Sequence, residues 1–187
     1  MILWRLLPLV RGAAPTDPGG ALWFPRELQG AGRHDNPDRY GCLYAAENPV
    51  SAVAEALAPF RGTGALVPTM LLRAGAPLVL AQLQLQDGSD LIDLDEPRVL
   101  TRTGLRPSQV ATYARAVTQA YATRLYDEHP TAVGLRWWST IEASLVNLTL
   151  YDRAADSLRL IGVQELTFEH QATRAAADLL GLAIADS

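Results

Sequence analysis

GRHDNPDRYGCLYAAENPVSAVAEAL, residues 32–57, changes local character twice. Gly32, Asn36, Pro37 and Gly41 mark a turn-rich entry. Cys42 to Ala46 (CLYAA) then predicts a short buried strand. A helix follows with its start chemistry in place: Asn48 is a good N-cap, and Pro49 fits the first helical position. Val50, Val53, Ala54 and Leu57 form its apolar stripe, and Pro59 stops it. At roughly 100° per residue, Glu55 falls on the side opposite that stripe, either in water or lining a cleft. Arg33 has the same two readings: an exposed turn arginine, or a guanidinium fork suited to a diphosphate.

Outward from this segment, Ile2 to Leu7 predicts a strand ended by Pro8, and residues 11–32 a long Gly/Pro-rich loop that Trp23 and Phe24 pack down. Pro77 to Leu85 is the best strand, and Leu91 to Leu94 another. Val110, Tyr113, Ala114, Val117, Tyr121 and Leu125 predict the longest helix, from Pro107 to about Glu128, ended by His129-Pro130. Strands near Leu145 to Tyr151 and Ser157 to Leu166 precede a C-terminal helix from about His170 to Leu182. Strands and helices mix without strict alternation, which points to α+β, or a mixed α/β sheet, in one domain.

Of 187 residues, 49% are apolar, enough for one core and too many for a disordered chain. With 16 basic and 20 acidic residues the net charge is -4, which argues against direct nucleic-acid binding. Every basic residue is Arg, and local groups of Arg can still hold an anion. Cys42 stands alone, which excludes an internal disulfide and a Cys-rich zinc site, and it reads as a small buried side chain. His34, His129 and His170 have no metal-ligand spacing and read as surface or terminus residues, so no metal is expected. Asp90, Asp93, Asp95 and Glu96 read as a solvated strand end or, less simply, a cation site. Of Trp137 and Trp138, one ring suits the core and the other could stack on an aromatic ligand. MILWRLLPLV lacks a basic n-region and a cleavage pattern, and no stretch reaches the ~20 apolar residues of a membrane span, so no membrane association and a cytoplasmic location are expected.

The chain resembles the RES-domain family, named for an Arg, a Glu and a Ser that recur in that order. The family pattern opens with a Gly-Arg turn, continues through a Leu-Tyr strand, and enters a helix of the type Pro-x-x-Ala-x-x-Glu. Arg33, Tyr44 and Glu55 match it. GLRWWSTIEASLVNLTLYDRA supplies the third element, with Ser139 in a Gly-Leu-x-x-x-Ser context. The resemblance runs from Trp4-Arg5 to the final strand, as one RES-type domain over residues 1–187. One departure is His34, where the family commonly has an aromatic after the Arg.

The resemblance implies a mixed-sheet core like that of ADP-ribosyltransferases, with a cleft for NAD. It implies a toxin that degrades NAD as substrate, with inorganic phosphate as co-substrate, and that is paired with an Xre-type helix-turn-helix antitoxin. Arg33, Tyr44, Glu55 and Ser139 would line that cleft. Loss of nicotinamide passes through an oxocarbenium-like transition state that a fixed carboxylate, Glu55, would stabilise. Arg33 would pair with the diphosphate or the phosphate, Tyr44 would stack on nicotinamide, and Ser139 would hydrogen-bond the ribose or carboxamide. Ser139 lacks an activating His-Asp pair and is not a nucleophile; S-x-x-E from Ser139 to Glu142 also fits a capping box. Two alternatives stay open: a protein-directed ADP-ribosyltransferase, and a non-catalytic partner-binding domain on the same fold. A homodimer is compatible with any of these.

Overall fold

The structure, a computed structural model, describes residues 1–184; the last three of the expected 1–187 span lie outside the described residues. The chain runs β1 (Ile2–Pro8), β2 (Cys42–Ala46), α1 (Pro49–Leu57), β3 (Ala65–Leu66), β4 (Leu72–Arg73), β5 (Ala76–Leu85) and β6 (Leu91–Asp93). It continues α2 (Pro97–Thr103), α3 (Pro107–Val110), α4 (Arg115–Glu128), β7 (Gly134–Trp138), β8 (Val146–Tyr151), β9 (Leu158–Glu165), α5 (Gln171–Leu180) and β10 (Ala183–Ile184). The main sheet has the order β4-β5-β1-β2-β8-β7-β6, with β9 paired to β5. Its pairs are antiparallel except β6–β7, which makes the sheet mixed, as expected for the α+β class. β1 and β2 are registered at a single position, Trp4 opposite Ala46.

Strand alternation sends side chains to two faces. Leu3, Leu43, Ala45, Leu83, Leu148 and Leu150 pack on one face, where Leu22 and Phe24 of the long N-terminal loop cover them. Arg5 fixes that loop by donating from Nη1 to the carbonyls of Ala21 (2.8 Å) and Trp23 (2.9 Å). On the other face, Leu135, Trp137 and Tyr151 pack against Tyr121 and Leu125 of α4. Further along the same face, Leu78 and Leu80 pack against Val53 and Leu57 of α1 and Leu180 of α5.

The α1 start is as expected: Asn48 Oδ1 accepts from Val50 N–H at 2.8 Å. The expected long helix from Pro107 to Glu128 is instead α3 and α4, separated at Ala111–Ala114. The carbonyls of Val110 and Thr112 accept from the Arg33 guanidinium, and the Thr112 hydroxyl accepts from Ala114 N–H. A tertiary donor thus takes the acceptors that a continuous helix would use, and Tyr113, expected on the apolar stripe, is 70% exposed. Five elements are additional to those expected: the two-residue strands β3, β4 and β10, and the longer α2 and β7. α2 carries local signals, with Glu96 Oε1 accepting from Arg98 N–H and Gly104 in the left-handed region at its end. β7 forms from the GLRWW stretch.

Gly134 sits where β7 crosses β8 closely: a Cβ there would lie 2.5 Å from the Thr149 carbonyl oxygen. Gly162, in β9, has nothing within 4 Å of the same position. Gly134→Ala is expected to cost ~1–3 kcal/mol in urea unfolding because backbone must move, whereas Gly162→Ala should be near neutral. Equal midpoints for the two variants would show that β7 and β8 can part freely.

Candidate active site

A cleft of ≈ 310 Å³ opens where the two helical clusters meet over the middle of the sheet. Its walls include Trp4 of β1, Tyr44 of β2, Glu55 of α1, Trp137 of β7 and Asn147 of β8, together with Arg33 from the turn. The structure therefore brings Arg33, Tyr44 and Glu55 into one cleft.

Glu55 does stand off the apolar face of α1, and its partners come from elsewhere. Its Oε1 accepts from Ser139 Oγ and from Asn147 Nδ2, both at 2.7 Å. Ser139 is 2% exposed and is not part of the cleft wall; its hydroxyl is engaged by Glu55 and by Ile141 N–H. The capping-box reading fails, because no helix follows Ser139 and Glu142 instead accepts from Ser144 N–H.

Arg33 is 6% exposed. Nη1 donates to the Val110 and Thr112 carbonyls at 2.9 and 2.7 Å, and the guanidinium carbon lies 4.8 Å from the Trp137 ring centroid. Burial lowers its pKa from the ordinary arginine value. Its Nε and Nη2 donate to no protein atom among the described residues. Arg115 and Arg73, also on the cleft wall, form no ion pair among the described residues.

Asp35 holds the turn. Its carboxylate accepts from Gly30 N–H (2.9 Å), Gly32 N–H (2.6 Å), Tyr44 hydroxyl (2.7 Å) and Cys42 thiol (3.3 Å). Burial works to raise the Asp35 pKa, but these hydrogen bonds outweigh it and hold it below the ordinary carboxylate value. A Cβ at Gly32 would lie 2.4 Å from Asp35 Oδ1, so the turn needs glycine. The Tyr44 hydroxyl also accepts from His34 N–H at 2.9 Å, so its polar end is used within the protein while its ring faces the cleft.

His34 departs most from its surface reading. It is fully buried, with Nδ1 paired to Thr149 Oγ1 (2.7 Å) and Nε2 to the Tyr121 hydroxyl (2.8 Å). Burial, with the Arg33 and Arg115 charges added, pushes its pKa well below the usual histidine value, so it stays neutral. It fills the place of the family's aromatic, meeting Trp137 edge-on at 5.4 Å between centroids. Cys42 is buried, as expected. Asp93 and Asp95 lie beside Arg136, which also binds Glu47, so part of the acidic patch is paired with a cation from the chain. No group of residues able to hold a metal occurs among the described residues. No helix among the described residues is long and apolar enough to cross a membrane.

Asp35, Arg73, Arg115, Asn147 and Thr149 were not singled out from sequence, and of these Asn147 and Thr149 had one visible signal. Both are polar at alternate positions of the apolar strand VNLTLY, which puts them on one face. A polar pair buried on one face of a strand needs partners.

A family model described as the RES domain matches residues 2–172. Among solved structures, a similar chain occurs in the crystal structure of the M. tuberculosis MbcT–MbcA toxin–antitoxin complex. The two share 18% identity over 96% of this chain and 88% of that one, with a TM-score of 0.68, which establishes a common fold. No match was found among curated proteins.

The lowered pKa of Asp35 carries a pH signature. Its stabilisation is present above the ordinary carboxylate value and is lost as pH falls through the depressed folded value. In urea unfolding, Asp35→Asn should be less stable than wild type at pH 7, and the gap should shrink below about pH 4. A gap that stays constant from pH 7 to pH 2 would mean that the Asp35 charge is not what holds the turn.

Proposed function

Because the chain belongs to the RES-domain family, we propose that it is the toxin of a toxin–antitoxin pair and degrades NAD, cleaving the nicotinamide–ribose bond with inorganic phosphate as acceptor. The observation that carries this reading is Glu55, fixed by two donors on the wall of a cleft that also holds Arg33.

NAD presents a diphosphate and two aromatic ring systems, one of them a cationic pyridinium. Arg33 uses one nitrogen internally and keeps Nε and Nη2 for phosphate oxygens, with Arg115 and Arg73 adding charge near the mouth. The rings of Tyr44 and Trp137 offer faces for nicotinamide. As the C1′–N bond breaks, its electron pair goes to the ring nitrogen, and nicotinamide leaves neutral without a general acid. Positive charge grows on the ribose, where the Glu55 carboxylate stabilises it. A phosphate oxygen then bonds to C1′, giving phosphorylated ADP-ribose. Ser139, held behind Glu55, acts in this reading by holding the carboxylate rather than by touching the ribose or carboxamide.

An antitoxin partner is supported by the similar solved structure, which is a toxin–antitoxin complex. Arg33, Arg73 and Arg115 on the cleft wall suit an acidic side chain or terminal carboxylate of an Xre-type partner laid over the mouth.

The test is to incubate pure protein with NAD, with and without phosphate, and to read the products by mass. Nicotinamide and phosphorylated ADP-ribose are expected, and intact NAD would overturn the reading. Glu55→Gln should lower the rate about 10²–10³-fold while the protein stays folded, as for loss of one preorganised electrostatic contact. Arg33→Lys should raise the dissociation constant for NAD measured by calorimetry. The amine can satisfy the two carbonyls but cannot offer the second prong; unchanged affinity would make Arg33 purely structural.

A further inference from the structure

We infer that Asn147 is a positioning residue that dedicates one oxygen of Glu55 to the protein and leaves the other, Oε2, to act on substrate. The kinetic arm of this inference rests on the NAD-cleavage reading above.

Both donors to Glu55 meet the same oxygen: Ser139 Oγ and Asn147 Nδ2 each lie 2.7 Å from Oε1. They arrive from different elements, Asn147 from within β8 and Ser139 from the residue after β7, while Glu55 comes from α1. A carboxylate held at one oxygen by two donors of separate origin can neither slide nor rotate about its last torsion without losing a bond. Oε2 accepts from no protein donor among the described residues, although Glu55 lines the cleft. A carboxylate has room for about four acceptor contacts, so Oε2 is open to a ribose hydroxyl or to the developing positive charge.

The Asn147 amide is itself fixed. Its Oδ1 accepts from Ser51 Oγ at 2.8 Å. Ser51 is fully buried on α1, and Asn147 is 3% exposed. With the amide reversed, its oxygen would face the Glu55 carboxylate, acceptor against acceptor. The chain Ser51–Asn147–Glu55 therefore has one workable orientation, with the amide nitrogen toward Glu55. Ser51 and Glu55 lie four residues apart, one turn of α1, and Asn147 bridges them from the sheet.

A merely structural Asn147 and a positioning Asn147 are separated by the split between kcat and KM in one substitution. Asn147→Asp keeps an acceptor for Ser51 and nearly the same volume, so the Ser51 contact is retained, and urea midpoints read any cost of the added charge separately from kcat. The same substitution removes the donor to Glu55 and puts a second carboxylate in its place, which a positioning role does not tolerate. Asn147→Asp should lower kcat by about 10²-fold or more with KM within about threefold, and should be at least as impaired as Asn147→Ala. A kcat for Asn147→Asp within threefold of wild type overturns the inference. A second measurement needs no turnover: the side-chain amide resonances of Asn147, recorded by NMR in wild type and in Glu55→Ala. Those resonances should move when Glu55 is removed, and unchanged resonances overturn the inference. Wild-type protein that leaves NAD intact would sink the NAD reading alone, and the resonances would then decide the role of Asn147.

Discussion

The Asp35 carboxylate is the constraint on which the site depends. It gathers two backbone N–H groups of its own turn and two side chains of β2, and so fastens residues 30–35 to the sheet. Arg33 projects from that turn toward the α3–α4 junction, where it binds the Val110 and Thr112 carbonyls. Thr118 returns a bond from α4 to the Arg33 carbonyl. The turn, the sheet and α4 thus hold one another, and the position of a single guanidinium sums up the result. Without Asp35, Gly30 and Gly32 would lose acceptors for their N–H groups, and Tyr44 would lose the anchor of its hydroxyl.

A second hub, Glu55, ties α1 to β8 and to the end of β7. The two hubs belong to different clusters of the same sheet face: Tyr44 and Trp137 pack with α4, whereas Val53 and Leu57 of α1 pack with α5. The cleft is the seam between those clusters. Strand β1, whose Trp4 lines it, meets β2 at one registered position only. A seam of this kind gives rigid walls on both sides without a packed interior between them, which suits binding of a ligand.

What was legible in the sequence was local. The Asn48 cap bonds two residues on, Pro49 needs no partner, and the strand periods follow from side chains that alternate across the sheet. Arg33, Tyr44 and Glu55, which line one cleft, sit within a segment of 24 residues, from Gly32 to Glu55, whose turn, strand and helix signals are strong. The α2 cap and the Asp35 turn were overlooked although their signals are local, whereas the misread α3–α4 junction, His34 and Ser139 involve partners far along the chain. The break after α3 depends on an arginine 77 residues away from Val110, and the burial of His34 on a threonine 115 residues away. The link between Ser139 and Glu55 spans 84 residues, and that between Asn147 and Glu55 spans 92. Periodicity carries no information on such pairings, so a helical pattern of apolar residues read as continuous where a remote guanidinium had already claimed its carbonyls.

Charge is distributed against the average of the molecule. With a net charge of -4, acidic partners are plentiful, and several arginines have them: Arg39 pairs with Asp127, Arg124 with Glu128, and Arg136 with Glu47 and Asp93. The cleft arginines 33, 73 and 115 have none among the described residues. For Arg33 this arrangement has an energetic cost, since burial without a counter-ion removes hydration that carbonyls and the Trp137 face replace only in part. A carboxylate beside it would relieve that cost, yet the one carboxylate on the cleft wall among the described residues, Glu55, is tied to Ser139 and Asn147. Positive and negative groups are thereby kept apart across one cavity, each held by neutral donors or acceptors rather than by the other. Such a cavity binds most tightly a ligand that is anionic at one place and becomes cationic at another as it reacts. In the reading proposed above, a diphosphate linked to a ribose that is losing a pyridine base would meet both conditions.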